Sequence, residues 1–205
     1  MKSAGDKFTA VVFDIGGVLL EWKPIEIVAA FTDDPDLQSL IKQEVFEHPD
    51  WLAMDNGDLS EEVAIERIHK RSGIRKSELG RLMTHINESL VPLEDSVALV
   101  EELHVNGVNL YCLSNMPAWR FDYLHSKYPF WSSFKDFVIS GAINMMKPDR
   151  DIFEYLLNQF HLRPDATIFI DDHEPNVDTA RAMGFETILF RGALDCRSRI
   201  FSVVD

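Results

Sequence analysis

The stretch Val11-Val12-Phe13-Asp14-Ile15-Gly16-Gly17-Val18-Leu19 decides how the rest of the chain is read. An apolar run from Phe8 to Phe13 stops abruptly at a carboxylate, and two glycines follow close behind. A run so short and so continuously apolar reads as a strand covered on both faces. Four more runs of this kind occur: Val108 to Leu113, Phe137 to Ile139, Thr167 to Ile170 and Thr187 to Phe190. Helical patterns lie between them, which predicts a parallel sheet built from crossover units. Gly107 and Gly184 stand where helices should stop beside these strands.

The segment from about Trp22 to Pro92 has a different texture. It holds no convincing strand but several amphipathic stretches. One opens at Ser60-Glu61-Glu62, with Ser60 as N-cap and acidic residues in the first turn, and ends at Gly73. About 70 structureless residues inside a compact domain are improbable. The segment therefore reads as a helical cap inserted after the first strand. At the other end, Ala193 to Asp205 reads as a short helix without functional signal.

The bulk numbers bound the function. The 205 residues, 46% apolar and 26% charged, suit one compact globular domain with an insertion. A net charge of −14 argues against nucleic acid as partner, because backbone binding needs clustered Lys and Arg. No apolar run approaches the roughly 20 residues that span a bilayer. The polar opening Met1 to Lys7 does not form a signal peptide. Two cysteines, Cys112 and Cys196, make no disulfide framework, and Cys112 lies in an apolar run as a buried thiol. These features predict a cytoplasmic protein, off the membrane.

In open α/β sheets, ligands bind beyond the carboxyl ends of the strands. Asp14 follows the first run, Ser114-Asn115 the second and Asp171-Asp172 the fourth, while Lys147 stands between in Met145-Met146-Lys147-Pro148-Asp149. Singly, each has an ordinary explanation as turn former, cap or surface charge. Together, three carboxylates on one rim need a compensating cation. A hard divalent ion such as Mg²⁺ takes oxygen ligands. With Mg²⁺ and Lys147 the charges balance before a phosphate arrives, as phosphoryl transfer requires.

In this order, the Asp14 motif, Leu113-Ser114-Asn115, Met146-Lys147-Pro148-Asp149 and Phe169-Ile170-Asp171-Asp172-His173-Glu174-Pro175-Asn176 resemble the four motifs of the haloacid dehalogenase-like superfamily. The likeness runs from Phe8 to about Phe190 and includes Asn56-Gly57-Asp58-Leu59-Ser60, similar to a cap element of that superfamily. The branch of α-D-glucose-1-phosphatases looks closest. The resemblance implies an α/β fold, with a Rossmann-like parallel sheet core (1–21 and 93–205) and an inserted all-helical cap (22–92). It implies a Mg²⁺-dependent phosphomonoester hydrolase acting on a small phosphorylated substrate, a sugar phosphate being the expected class. Asp14 would be the nucleophile that forms an aspartyl-phosphate. Asp14, the Gly16 carbonyl and Asp172 would bind the metal, with Asp171 a second or water-mediated ligand. Ser114, the Asn115 amide and Lys147 would hold the phosphate.

One departure matters. Phosphatases of this superfamily carry a second Asp two residues after the nucleophile as general acid, and here that position is Gly16. General acid–base help is worth about 10²–10⁴-fold. Three consequences stay open: a substrate with a good leaving group, which is favoured; another donor, with Asp55, Asp58 and His173 as candidates; or little turnover. A non-catalytic phosphometabolite-binding or scaffold protein is the alternative from another class, and a carbon–halogen hydrolase the alternative within the superfamily. A phosphorylated receiver domain would carry its acidic pair early in the chain and no long insertion. The four tryptophans, Trp22, Trp51, Trp119 and Trp131, read as packing residues, with Trp51 near enough to the cap element to line a pocket.

Overall fold

The computed structural model describes residues 8–204, with side chains through Phe201. The polar opening Met1 to Lys7, and Asp205, lie outside the described residues. After β1 (Ala10–Phe13) come α1 (Pro24–Phe31), α2 (Pro35–Ile41), α3 (Pro49–Asp55), α4 (Glu61–Ser72), α5 (Lys76–Ser89) and α6 (Glu94–Val105). Then β2 (Asn109–Ser114) leads through α7 (Ala118–Lys127) to β3 (Asp136–Ile139). The short α8 (Ser140–Ile143) and α9 (Arg150–Phe160) precede β4 (Thr167–Asp171), and α10 (Glu174–Ala182) precedes β5 (Glu186–Leu189). The last helix is α11 (Ala193–Val204).

The five strands form one sheet in the order β3-β2-β1-β4-β5, and every pair is parallel. β1 is central and buried throughout, with Phe13 level with Cys112 on one side and Ile170 on the other. Alternate side chains of a strand point to opposite faces. Val11, Phe13, Cys112 and Ile170 accordingly join Leu99, Leu103 and Ile200 in one apolar cluster. Ala10, Val12, Leu113 and Phe169 join Ile152, Phe153 and Leu156 in the other. This double coverage is why the strands are continuously apolar in sequence. Each large side chain so buried contributes about 1.5–3 kcal/mol.

Helices α1 to α5 have an apolar cluster of their own, including Ile27, Ile41, Met54, Ile68, Leu82 and Ile86. Pro24, Pro35 and Pro49 start the first three helices, where a missing N–H costs nothing. Ser60 caps α4 by accepting from the Val63 N–H, and Gly73 ends it with φ of 75°. The chain enters and leaves this helical segment side by side: Glu21 N donates to Val91 O at 2.8 Å, and Leu93 N to Leu19 O at 2.9 Å. Trp22, at that junction, packs against both the helical cluster and a sheet cluster. Among the described residues no helix is long and apolar enough to cross a membrane.

Candidate active site

The parallel sheet brings its carboxyl ends to one edge. Asp14 leaves β1 there, its N–H still bonded to Ile170 O at 2.8 Å. Ser114 and Asp171 are the last residues of β2 and β4. Carboxylate oxygens of Asp14, Asp171 and Asp172 all lie within 4.8 Å of one another. Lys147 reaches into this group with its ammonium 2.9 Å from Asp14 Oδ1 and 2.7 Å from Asp171 Oδ2. It also donates to the Leu113 carbonyl at 2.8 Å. Asn115 holds the Lys147 backbone from both sides: its Nδ2 donates to Lys147 O, and its Oδ1 accepts from Lys147 N.

The carboxylates are held differently, and the difference bears on their roles. Asp14 Oδ1 accepts from its neighbour Ile15 N at 2.7 Å as well as from Lys147, so its rotation is fixed. Asp171 is fully buried and accepts from Lys147, from His173 N and, on both carboxylate oxygens, from Asn176 Nδ2. Asp172 is taken by no other side chain among the described residues. Beside it stands Gly17, with φ of +74°, where a Cβ would collide with the Asp172 carboxylate. The second glycine of the motif is therefore needed both for its backbone conformation and for the space it leaves.

Burial is the strongest influence on Asp14 and raises it to about 7, against the pull of Lys147 and with a push from Asp171. Burial and Asp171 likewise raise Asp172. Burial would lower Lys147, but Asp14 and Asp171 outweigh it and the ammonium is strengthened. Three carboxyls and one ammonium leave an excess of negative charge that a divalent cation matches. The donors are all hard oxygens at the right separation, so the set fits Mg²⁺.

Asp14, Gly16, Ser114, Asn115, Lys147 and Asp172 line one cavity of about 600 Å³. Trp22, Trp51, Leu52, Leu90, Met116 and Met146 line it as well. Two of the four tryptophans thus face the cavity while also packing. Of the three residues considered as stand-ins for the acid missing at Gly16, Asp55 is buried and lines this cavity. His173 lies at its exposed rim. Asp58 is elsewhere: it accepts from Asn56 Nδ2 at 2.6 Å and lines a separate surface cleft. Two residues of the site were not singled out from sequence. Asn176 sits five residues beyond Asp171 in the acidic motif and could have been noticed there. Arg120, only 3% exposed and lining the cavity, lies in an ordinary amphipathic helix and gave no signal.

Fold and site together define a class: α/β proteins with an acidic cluster at the carboxyl edge of a parallel sheet. A family model for haloacid dehalogenase-like hydrolases matches residues 8–184. A sesquiterpene phosphatase of Aspergillus oryzae is 30% identical over 177 residues, which is 86% of this chain and 87% of that protein. A drimenol cyclase of Aspergillus calidoustus is 26% identical over 184 residues, 88% of this chain but 34% of the longer protein. Among solved structures, a family enzyme from Bacteroides thetaiotaomicron in complex with magnesium and inorganic phosphate superimposes with a TM-score of 0.71. It is 21% identical, with 88% of this chain and 93% of that one covered. The chain belongs to the haloacid dehalogenase-like hydrolase family.

Proposed function

We propose that this protein is a Mg²⁺-dependent phosphomonoester hydrolase that works through an aspartyl-phosphate on Asp14. The observation that carries the reading is Lys147, buried between Asp14 and Asp171 with Asp172 alongside, at the floor of a substrate-sized cavity. In this reading residues 22–92 are the cap, and 1–21 with 93–205 the core. Asp14, the Gly16 carbonyl and Asp172 would hold the metal, and Asp171, already committed to three donors, would be a second or water-mediated ligand. When bound, Mg²⁺ would offset charge on Asp14 and on the phosphate oxygens. Asp14 attacks phosphorus, fixed in rotation by Ile15 N–H and Lys147. Ser114 and the Asn115 N–H bind phosphate oxygens, and Lys147 neutralises charge on both partners. An acidic cluster of this kind weighs against the carbon–halogen hydrolase, which has no need of a cation.

The cavity wall bears on the substrate. Beside the polar Asp55, Arg120, Asp149 and His173, the lining has two indoles, two leucines and two methionines, which offer a large apolar area. This favours a phosphate ester with an apolar or aromatic body over the sugar phosphate that the resemblance implied. The relative named as a sesquiterpene phosphatase is consistent with that choice. The test is phosphate release from sugar, aryl and prenyl monophosphates, with Mg²⁺ and with EDTA, in the wild type and in Asp14→Asn. The reading predicts Mg²⁺-dependent release, lost in Asp14→Asn and fastest on the apolar esters. Absence of release from every ester, with phosphate analogues still binding, would favour a binding protein instead.

A further inference from the structure

We infer that Asp55, in the cap wall of the cavity, is the proton donor and acceptor that Gly16 cannot be. The inference rests on the phosphatase reading. It starts from position: Asp55 is the last residue of α3, 8% exposed, and lines the same cavity as Asp14. Its place relative to the core is fixed by one hydroxyl. Ser140 Oγ donates to the Asp55 carbonyl and accepts from Met116 N at 2.9 Å. Met116 directly follows Ser114 and Asn115, so the backbone of Asp55 is anchored to the loop that would hold the phosphate. Asn144 adds a second tie, from its Nδ2 to Asn56 O at 3.0 Å.

The charges around Asp55 then decide its protonation. Arg120 of α7 is the charged group that acts on it, and Glu61 of the first turn of α4 acts on the same guanidinium. The Arg120 guanidinium lies over Trp51 and Trp119, 4.9 Å from each ring, and its Nε donates to Asn87 Oδ1 at 2.9 Å. Arg120 Nη2 and Glu61 Oε2 are buried without a hydrogen-bond partner among the described residues. Arg120 is thus shared between two carboxyl groups and does not offset the burial of Asp55 in full. Glu61 is raised by burial, against Arg120, but does not line the cavity. Asp55 does, and burial raises it to about 7 in spite of Arg120 and the Trp51 indole. A carboxyl that still holds its proton near neutrality suits a general acid.

The proton balance closes over two steps. Asp14 bonds to phosphorus as the ester P–O bond breaks, and Asp55 gives its proton to the leaving oxygen, which departs as an alcohol. Water then attacks the phosphorus of the aspartyl-phosphate and gives a proton to the Asp55 carboxylate. The bond from phosphorus to Asp14 breaks, releasing phosphate and restoring both carboxyl groups.

The test compares the Mg²⁺-loaded wild type and Asp55→Asn on p-nitrophenyl phosphate, whose leaving group needs no proton, and on a simple alkyl phosphate, whose leaving group does. The variant should lose about 10²–10⁴-fold in kcat/KM on the alkyl ester and less than about tenfold on the aryl ester. Because the second step also loses its base, the aryl ester should show a burst of nitrophenolate before slow turnover. Equal losses in kcat/KM on both esters, or none on either, would overturn the proposal. Wild-type enzyme that released phosphate from neither would instead remove the phosphatase reading beneath it. Asn matches a protonated Asp in shape, so the variant should fold. Should it not, the wild type still decides: its alkyl-to-aryl ratio of kcat/KM must fall as pH rises through about 7, and a ratio flat across that range would contradict the role.

Discussion

Lys147 is 3% exposed and makes three contacts, to Asp14, to Asp171 and to the carbonyl of Leu113. Removing one member of such a buried ionic group leaves its partners uncompensated, at a cost of about 3–5 kcal/mol. Lys147→Met should therefore lower the stability of the Mg²⁺-free protein by about that amount at pH 8, measured by urea denaturation. The sign with pH follows from Asp14, whose pKa in the folded protein is raised to about 7, well above the usual carboxylate range. A carboxyl so raised is stabilising when protonated, and that contribution is lost as pH rises through the folded pKa. The loss in Lys147→Met should accordingly shrink at pH 5, and an equal loss at both pH values would count against the ionic account. Residues of this kind were legible in the sequence because each follows a strand or belongs to an ordered motif. Arg120 was not, since its importance arises from Trp51, Trp119, Asn87 and Asp55, which approach it only in the folded chain.

At the scale of elements, the join between the helical segment and the sheet involves a very short one. The helix α8 has four residues, and its first, Ser140, is fully buried. Its second, Gly141, lies so close to the turn before α7 that a Cβ would come within 2.8 Å of Ala118 N, Met116 O and Pro117 Cα. Ser140→Ala would strand the buried Met116 N–H and remove a donor from the Asp55 carbonyl, costing about 1–3 kcal/mol. The expected signature is faster hydrogen exchange at the Met116 amide, beyond any global loss of stability. Unchanged exchange at Met116 would show that the hydroxyl is not the tie. The five strands were readable as apolar runs, each found within two residues of its expected ends. Ser60 and Gly73 also marked the limits of α4. By contrast α8 had no periodic pattern to read, because four residues make one turn and its glycine answers to packing against another segment.

Across the whole molecule, three apolar clusters, two on the faces of the sheet and one in the helical segment, are packed around a shared cavity. The sheet supplies the acidic floor, and the helical segment supplies Trp51, Leu52 and Asp55 to the wall. Sequence could assign the floor, whose residues are placed by strand ends. It could not orient the wall, whose side chains turn on how α3 docks against α8. That division explains why the chemistry was easier to read than the substrate. The central claim is that phosphate passes through Asp14, and it can be tested on the intact protein. Enzyme turning over p-nitrophenyl phosphate with Mg²⁺ is quenched in acid within the first turnover, digested, and its peptides weighed. The account predicts one phosphoryl group on the peptide carrying Asp14, absent in Asp14→Asn. A phosphoryl group on another residue, or none at any time during a turnover that releases phosphate, would contradict it.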